Sequence, residues 1–209
     1  MPEHETPSAP EGDANRELDM ESLKALSHPL RVQMVDALSV YGPATASGLA
    51  ERLGESSGAT SYHLRQLEKH GFVREQRGRG TGRERWWERV PGAISIGSPD
   101  ADRTPAGRSA AQLIYREFRT SQQRLLSDFI DRGATELDAE WIDASAIMTA
   151  NARLTVEQLR DFVAAVNDLV EKMIVPLRGQ ETPGSRPVQI NFNAFPVVDA
   201  AAQPAGDAS

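Results

Sequence analysis

The strongest constraint on the fold of this chain is a pair of short helix-like segments with a glycine between them. The stretch "TASGLAERLG" (45–54) starts with Thr45, which is suited to capping a helix, and ends with Gly54, which suits the end of one. The stretch "SSGATSYHLRQLEKHG" (56–71) repeats that arrangement, with serines at its start and Gly71 at its end. Two short helices joined by a turn of three or four residues predict a helix-turn-helix.

The second helix of this pair has one face suited to a core and one suited to solvent. Thr60, Leu64 and Leu67 are spaced four and three residues apart, which places them on one side of a helix. The residues that this arrangement leaves facing away from the core are Ser57, Ser61, Tyr62 and Arg65. An exposed polar face directly after a tight turn is a candidate binding surface.

Two strand-like runs follow the second helix. "FVREQ" (72–76) and "RWWERV" (85–90) are separated by "RGRGTG" (77–82), whose glycines and lack of apolar residues suit a flexible hairpin loop. Because side chains alternate along a strand, one of Trp86 and Trp87 should face the core and the other should pack outside it. A strand pair at this place predicts the wing of a winged helix.

The composition of the remaining segments predicts where the domains begin and end. Residues 1–16 are rich in Pro, Glu, Ser and Ala and predict a disordered tail, and residues 199–209 predict another. Residues 17–97 predict the winged-helix domain, in which a helix starts at Pro29. "SPDADRTPAGR" (98–108) has two prolines and no apolar period, which predicts a linker.

Residues 109–198 predict a C-terminal dimerisation and effector domain. A helix from Ala106 to Arg132 has apolar residues at helical intervals and a length that suits dimerisation, and Thr155 is suited to cap a second amphipathic helix. Trp141–Met148 and the alternating run "PVQINFNAF" (187–195) predict strands. The expected fold is therefore mainly α with small β elements, a winged helix-turn-helix followed by an α+β module with a long dimerisation helix.

Charge is distributed unevenly along the chain, whose formal net charge is -7. Residues 61–90 carry eight cations and four anions, a net charge of +4, which leaves -11 on the remaining residues. An acidic body with one basic patch can bind phosphate locally while its overall field opposes binding elsewhere. A solvated surface without a partner is the alternative explanation of the same charges.

Composition also excludes several classes of chemistry. The chain has no cysteine, so disulfides, thiolate metal sites and cysteine nucleophiles are excluded. No apolar run approaches the roughly 20 residues that span a bilayer, and the N-terminus has neither a basic flank nor an apolar stretch, so we expect a cytoplasmic protein without a membrane partner. We expect that the chain is not an enzyme and binds no cofactor or metal, since no catalytic constellation is recognisable. The glycine-rich "RGRGTG" lacks the following helix that a phosphate-binding loop requires.

Several motifs in the first half resemble one known family. "LKALSHPLRVQMVDAL", "ATASGLAERLGESSGATSYHLRQLEKHGFV" and "RGRGTGRERWWER" occur in the order of the opening helices, helix-turn-helix and wing of ArsR-type transcriptional regulators. The longer C-terminal half, ending near "FNAFP", looks like an actinobacterial branch of that group. The resemblance covers about a third of the chain and implies a winged-helix regulator. Metal-sensing members use cysteines or a His and Asp pair that this chain lacks at those places.

The exposed helix and the wing are the expected DNA-binding surface. Short polar residues at the front of a recognition helix allow close approach to the duplex, and its N-terminus carries partial positive charge. Arg65 can pair bidentately with guanine, while wing arginines can reach phosphates or a minor groove. The expected DNA-contacting residues are Thr45, Ser56, Ser57, Ala59, Thr60, Ser61, Tyr62, His63, Arg65, Gln66, Arg77, Arg79, Arg83 and Arg85.

Several of these residues have a possible structural role as well as a functional one. Tyr62 either contacts DNA or covers the wing, and in the resembling family a histidine often stands at this place. His63 is interpreted as a structural or phosphate-bonding residue, since no second histidine lies at metal-binding spacing. An effector pocket in the C-terminal half is expected to use Trp141, Phe162, Val166, Phe192 and Phe195, and the alternative is that these residues form an ordinary core.

The sequence thus predicts a DNA-binding transcriptional regulator, with repression as the default mode. Two recognition helices of a homodimer would enter successive major grooves of double-stranded DNA, about 34 Å apart on a pseudo-palindromic operator. A small molecule bound to the C-terminal half is the expected effector. The alternative is a winged helix that binds proteins rather than DNA, against which the basic wing argues.

Overall fold

The computed structural model of the chain describes residues 16–76, 78–79, 84–92, 94–95, 103–180 and 182–200. The tails expected at 1–16 and 199–209 lie almost wholly outside these ranges. The chain divides into two compact units, Met1–Ala144 and Ser145–Ser209. The linker predicted at residues 98–108 lies within the first unit, and the long helix that follows it packs on the other helices of that unit.

The first unit is a mainly helical domain with a small sheet, a winged helix as the sequence predicts. The helices before the wing are α1 (Met20–Leu26), α2 (Pro29–Tyr41), α3 (Ala46–Leu53) and α4 (Ser57–Lys69). The strands are β1 (Arg16–Glu17), β2 (Ala44–Thr45), β3 (Val73–Glu75), β4 (Trp86–Arg89) and β5 (Ile94–Ser95). The buried core contains leucines, valines and Met34 from the four helices. Phe72 and Trp87 belong to the same core and lie on the side of the sheet.

The helix-turn-helix forms where its capping residues require it. Thr45 Oγ1 accepts a hydrogen bond from the Gly48 amide at 3.1 Å and so begins α3. Gly54 ends α3 with φ of 69°, a left-handed conformation that glycine adopts without steric cost. Leu49 of α3 and Leu64 of α4 are buried in the same core, which fixes the two helices against each other.

The wing is a three-stranded antiparallel sheet in the order β2, β4, β3. Ala44 is paired with Trp87, and Glu75 is paired with the same residue from the other side. Trp87 is buried and Trp86 is half-buried, which confirms that one tryptophan faces the core and the other lies outside it. A separate two-stranded parallel pair joins β1 to β5.

The long predicted helix is α5 (Pro105–Glu136), which Thr104 caps by accepting the Gly107 amide at 3.0 Å. Its first half belongs to the core of the first unit, since Ala111 and Ile114 are buried there. Two polar contacts join it to α2. The contacts are Gln33 Nε2 to Glu117 Oε2 at 3.0 Å and Ser121 Oγ to Asp36 Oδ2 at 2.5 Å.

A short helix, α6 (Ala139–Asp143), ends the first unit. The strand predicted for Trp141–Met148 is therefore wrong: its first residues are helical, and residues 145–150 are neither helix nor strand. Acidic Asp138 at the helix start and Glu140 in the first turn suit a helix N-terminus, which favours helix over strand here.

The second unit contains one long helix, α7 (Val156–Met173), and a 3-10 turn at Val175–Leu177. Thr155 and Gln158 form the capping box that begins α7, so the predicted cap is confirmed. The strand predicted for residues 187–195 is wrong, because those residues have no strand partner in the described part of the chain. The described part of the predicted module, residues 109–198, therefore contains helices α5, α6 and α7 and irregular segments, without either predicted strand.

Candidate nucleic-acid interface

Helix α4 begins with small polar residues that leave its first turn uncovered. Ser56 Oγ accepts a hydrogen bond from the Ala59 amide at 3.2 Å, and Ser56, Ser57 and Gly58 are exposed. A Cβ atom placed on Gly58 would meet no other atom within 4 Å. The backbone of this turn can therefore approach a flat or convex partner closely.

The outward face of α4 presents one aromatic and two basic side chains. Tyr62 is 54% exposed, and Arg65 and Lys69 are exposed as well. Their spacing of three and four residues places them in a row along one side of the helix. The sequence predicted Tyr62 and Arg65 for this surface but missed Lys69, which the same helical spacing identifies.

The other residues predicted for the interface on these helices lie at different depths. Thr60 is completely buried and its hydroxyl donates to the Ser56 carbonyl at 3.0 Å, so its predicted contact with DNA is wrong. Its inward spacing with the core leucines explains this position. The half-buried residues are Ala59, Ser61 and Gln66 of α4 and Thr45, which caps α3.

One flank of α4 packs against the start of α2. The ring of His63 lies 4.4 Å from that of His28, centroid to centroid, and makes an edge contact with Tyr62 at 5.2 Å. Arg31, on the first turn of α2, interacts electrostatically with both Tyr62 and His63. The sequence did not identify His28 or Arg31, since 35 residues separate His28 from its partner His63 and no local pattern joins them.

Burial and neighbouring charge perturb two groups on this flank. Burial lowers the pKa of the His63 imidazole below its ordinary value of 6.5, and His28 and Arg31 lower it further, while Glu55 opposes them. Burial also lowers the pKa of Arg31, against the opposing effect of Tyr62. At neutral pH His63 is therefore an uncharged ring beside a charged guanidinium.

The wing contributes arginines that already have protein partners. Arg79 donates to Gln76 at 3.4 Å and lies over the ring of Trp86 at 4.5 Å. Arg85 lies 3.7 Å from a carboxylate oxygen of Glu75, and its side chain is 63% exposed. Arg77 and Arg83, also predicted for the interface, lie outside the described residues.

The residues predicted for an effector pocket are divided between the two units. Trp141 belongs to the first unit, while the other four belong to the second. In the second unit Phe162 is 51% exposed and Phe195 is 73% exposed, so neither lines an enclosed cavity. Phe162 and Phe192 form an edge-to-face pair with centroids 5.7 Å apart, and both residues are exposed.

A cavity that the sequence did not predict lies in the first unit, between α2, α3 and the wing. It has a volume of about 330 Å³, and its walls include Tyr41, Arg52 and Trp86. The Arg52 guanidinium lies 3.7 Å from the centre of the Tyr41 ring, and the indole nitrogen of Trp86 is buried without a hydrogen-bond partner.

Among the described helices, none is both long and apolar enough to span a bilayer. No curated protein matches the chain. Three similar solved structures are "HlyU from Vibrio cholerae N16961", "Possible transcriptional regulator for arsenical resistance" and "transcriptional regulator Tm0710 from Thermotoga maritima".

The sequence identities to these three structures are 19%, 25% and 13%, and the TM-scores are 0.29, 0.30 and 0.30. The alignments cover 47%, 53% and 73% of this chain and 96%, 97% and 84% of the other chains. At these scores the likeness carries no argument about function.

A family model gives the firmer comparison, over a part of the chain. Its match begins at the end of α1, includes α2, α3 and α4, and ends just after β3. It thus contains both helices of the turn and the exposed face of α4. Residues 26–76 match the family described as "Helix-turn-helix domain".

Proposed function

We propose that this protein is a sequence-specific DNA-binding transcriptional regulator that acts as a homodimer, with repression as its mode. The observation that carries the proposal is the uncovered outward face of α4, where Tyr62, Arg65 and Lys69 stand in one row beyond a small, polar first turn. A helix of this shape fits the major groove, in which Arg65 can pair bidentately with guanine.

The charge of the surface supports nucleic acid as the partner. Residues 61–90 have a net charge of +4 in a chain whose remaining residues sum to -11. Phosphate contacts from such a patch make affinity for DNA fall steeply with salt concentration. Arg79 and Arg85 of the wing would add contacts that do not depend on sequence.

Homodimerisation is proposed from exposed apolar side chains on α5. Tyr115, Leu126 and Ile130 are 56%, 41% and 60% exposed and lie on one face of this helix. Burial of such a stripe against a second copy would remove apolar surface from water. Two recognition helices would then address two half-sites of one operator.

The test is a titration of labelled duplex containing a genomic fragment selected by the purified protein, at about 50 and 200 mM salt. Arg65→Ala should weaken binding to the selected fragment and relax the preference at one base pair of each half-site, by about 1 to 3 kcal/mol. Arg79→Ala should weaken selected and unrelated duplexes equally. Failure of the parent to bind any duplex at the lower salt concentration would show that the winged helix has another partner, such as a protein.

A further inference from the structure

The flank of α4 beside α2 holds polar atoms that the outward face does not explain. Among the described residues, four buried side-chain nitrogen or oxygen atoms have no hydrogen-bond partner. Three of them belong to one cluster, namely His28 Nδ1, Arg31 Nε and His63 Nδ1. These three atoms are too buried for a ligand to reach, but they show that the described part of the chain supplies no hydrogen-bond partner to them. His28, Arg31 and His63 are called the imidazole–arginine cluster below.

The imidazole–arginine cluster has a positive charge without a negative partner. Among the described residues, no carboxylate forms an ion pair with Arg31, although the wing and α5 contain several such pairs. The guanidinium is half-buried, so water compensates its charge only in part. Among the described residues, the negative charge of Glu55 raises the pKa of His63, but burial, His28 and Arg31 together lower this pKa by more. An anion from outside the chain would balance the charge of Arg31.

The position of the cluster selects the anion. A helix with its side chains is roughly 10–12 Å wide and the major groove is about 12 Å wide, so the two flanks of a bound helix face the phosphates. His63 lies on such a flank of α4, and its neighbour Tyr62 lies on the outward face. Arg31 and His28 extend that flank from the start of α2.

We propose that the imidazole–arginine cluster binds a backbone phosphate of the DNA duplex that α4 recognises. The proposal rests on the proposed function and adds three residues to its site. The guanidinium of Arg31 offers paired donors that match phosphate oxygens. Burial of Nδ1 in both rings leaves Nε2 of His28 and His63 as the nitrogen that an oxygen of the phosphate can reach.

The main test compares Arg31→Gln with the parent in the full chain, by fluorescence anisotropy with labelled selected and unrelated duplexes. Arg160→Gln on exposed α7 removes the same charge elsewhere and is the matched control. Loss of one phosphate contact lowers the slope of log affinity against log salt by about 0.9. The ratio of the parent's affinity for duplex to that of Arg31→Gln should therefore fall about 3.5-fold between about 50 and 200 mM salt. The fall should be the same for the selected and the unrelated duplex.

Two results would overturn the proposal without touching the proposed function. One is a salt slope of Arg31→Gln equal to that of Arg160→Gln while Arg65→Ala still loses base preference. The other is a loss confined to the selected duplex, which would assign Arg31 to base recognition. Arg31→Lys keeps the charge and should recover most of the slope, which separates lost contact from damaged folding.

The parent protein offers a readout that no substitution can disturb. In an NMR titration with duplex, the imidazole resonances of His28 and His63 should shift together, and those of His63 should move towards the protonated form, since a bound phosphate favours its charged ring. Unchanged resonances in a saturated DNA complex would overturn the proposal. A shift produced by inorganic phosphate but not by duplex would do the same, because it would identify a site for free anions.

Discussion

Asp36 is a carboxylate at the junction of α2 and α5, where the hydroxyl of Ser121 donates to it at 2.5 Å. Burial raises the pKa of Asp36 above its ordinary value of 3.8, although the Ser121 hydrogen bond and then Arg124 and Arg89 oppose the shift. The folded state therefore holds this proton at a higher pH than the unfolded state does. The stability that this proton contributes is fully present below pH 3.8 and is lost as pH rises through the folded pKa.

Asp36→Asn should remove this pH dependence. The amide oxygen can still accept from Ser121, so we expect the free energy of unfolding at pH 7 to equal or exceed that of the parent. Urea titrations at several pH values between about 4 and 7 measure the difference. A variant much less stable than the parent at pH 7 would show that the charge of Asp36 stabilises the junction.

His63 gives the opposite dependence, because its folded pKa is lowered. The unfolded state binds this proton more readily, so the stability contributed by neutral His63 is present above pH 6.5 and is lost as pH falls towards the folded pKa. His63→Gln should flatten the fall in stability between pH 7 and about 5.5 in the absence of DNA. His70→Gln at the end of α4 is the control substitution, and equal slopes for parent and His63→Gln would contradict the assignment.

At the scale of single elements, local capping chemistry predicted the helices, and side-chain alternation predicted the two wing strands but failed for the two C-terminal strands. Thr45, Ser56 and Thr155 begin α3, α4 and α7 as expected, because a cap acts within its own turn. The alternation in residues 187–195 predicted a strand, yet a strand also needs a neighbour to pair with, and alternation cannot supply one. The same limit hid the β1–β5 pair, whose partners lie 78 residues apart.

The residues of the candidate interface also divide into those that local helical spacing predicts and those that depend on contacts between helices. Helical spacing from the core leucines identified Tyr62 and Arg65, and applied consistently it also identifies Lys69 and excludes Thr60. The contact of His63 with His28 was not predictable, since it depends on how α2 packs against α4.

Two glycines near the turn should respond oppositely to alanine. Gly54 has φ of 69°, so Gly54→Ala should cost about 1 to 2 kcal/mol of stability although its Cβ would meet no atom. Gly58 lies within α4, and Gly58→Ala should add about 0.5 kcal/mol because alanine favours helix. Thermal unfolding measures both changes.

The Gly58 substitution also tests the approach of α4 to DNA. The added methyl group stands on the exposed first turn, so Gly58→Ala should bind the selected duplex more weakly than the parent even though it is more stable. A stabilised variant with unchanged affinity would place the first turn of α4 away from the duplex.

At the scale of the whole molecule, the placement of α5 had to come from the structure. The spacing of its apolar residues predicted the helix, but did not predict how it packs on α2. That packing uses the hydrogen bonds of Gln33 with Glu117 and of Ser121 with Asp36, whose residues are 84 and 85 positions apart. As a result the helix predicted for dimerisation also completes the core of the winged-helix domain. In the proposed homodimer, coupling between the dimer contacts and α4 can therefore pass through α2, which packs against both α5 and α4.

The dimer is tested by placing a charge on the exposed stripe of α5. Ile130 is 60% exposed, so Ile130→Glu should leave folding intact while opposing burial against a second copy. Sedimentation should show a mass that falls from twice 22.8 kDa to 22.8 kDa. Affinity for a two-half-site duplex should fall by about 100-fold or more, because the two recognition helices are no longer linked, while affinity for a single half-site stays unchanged.

Thr135→Glu is the matched control, since it adds the same charge to an exposed position five residues from Ile130, on another side of α5. It should remain dimeric and bind the two-half-site duplex as the parent does. Dissociation of both variants would attribute the effect to net charge rather than to the stripe. If Ile130→Glu stays dimeric at the concentrations that bind DNA, the contact between copies lies elsewhere, and the exposed side chains of α7 become the next surface to alter.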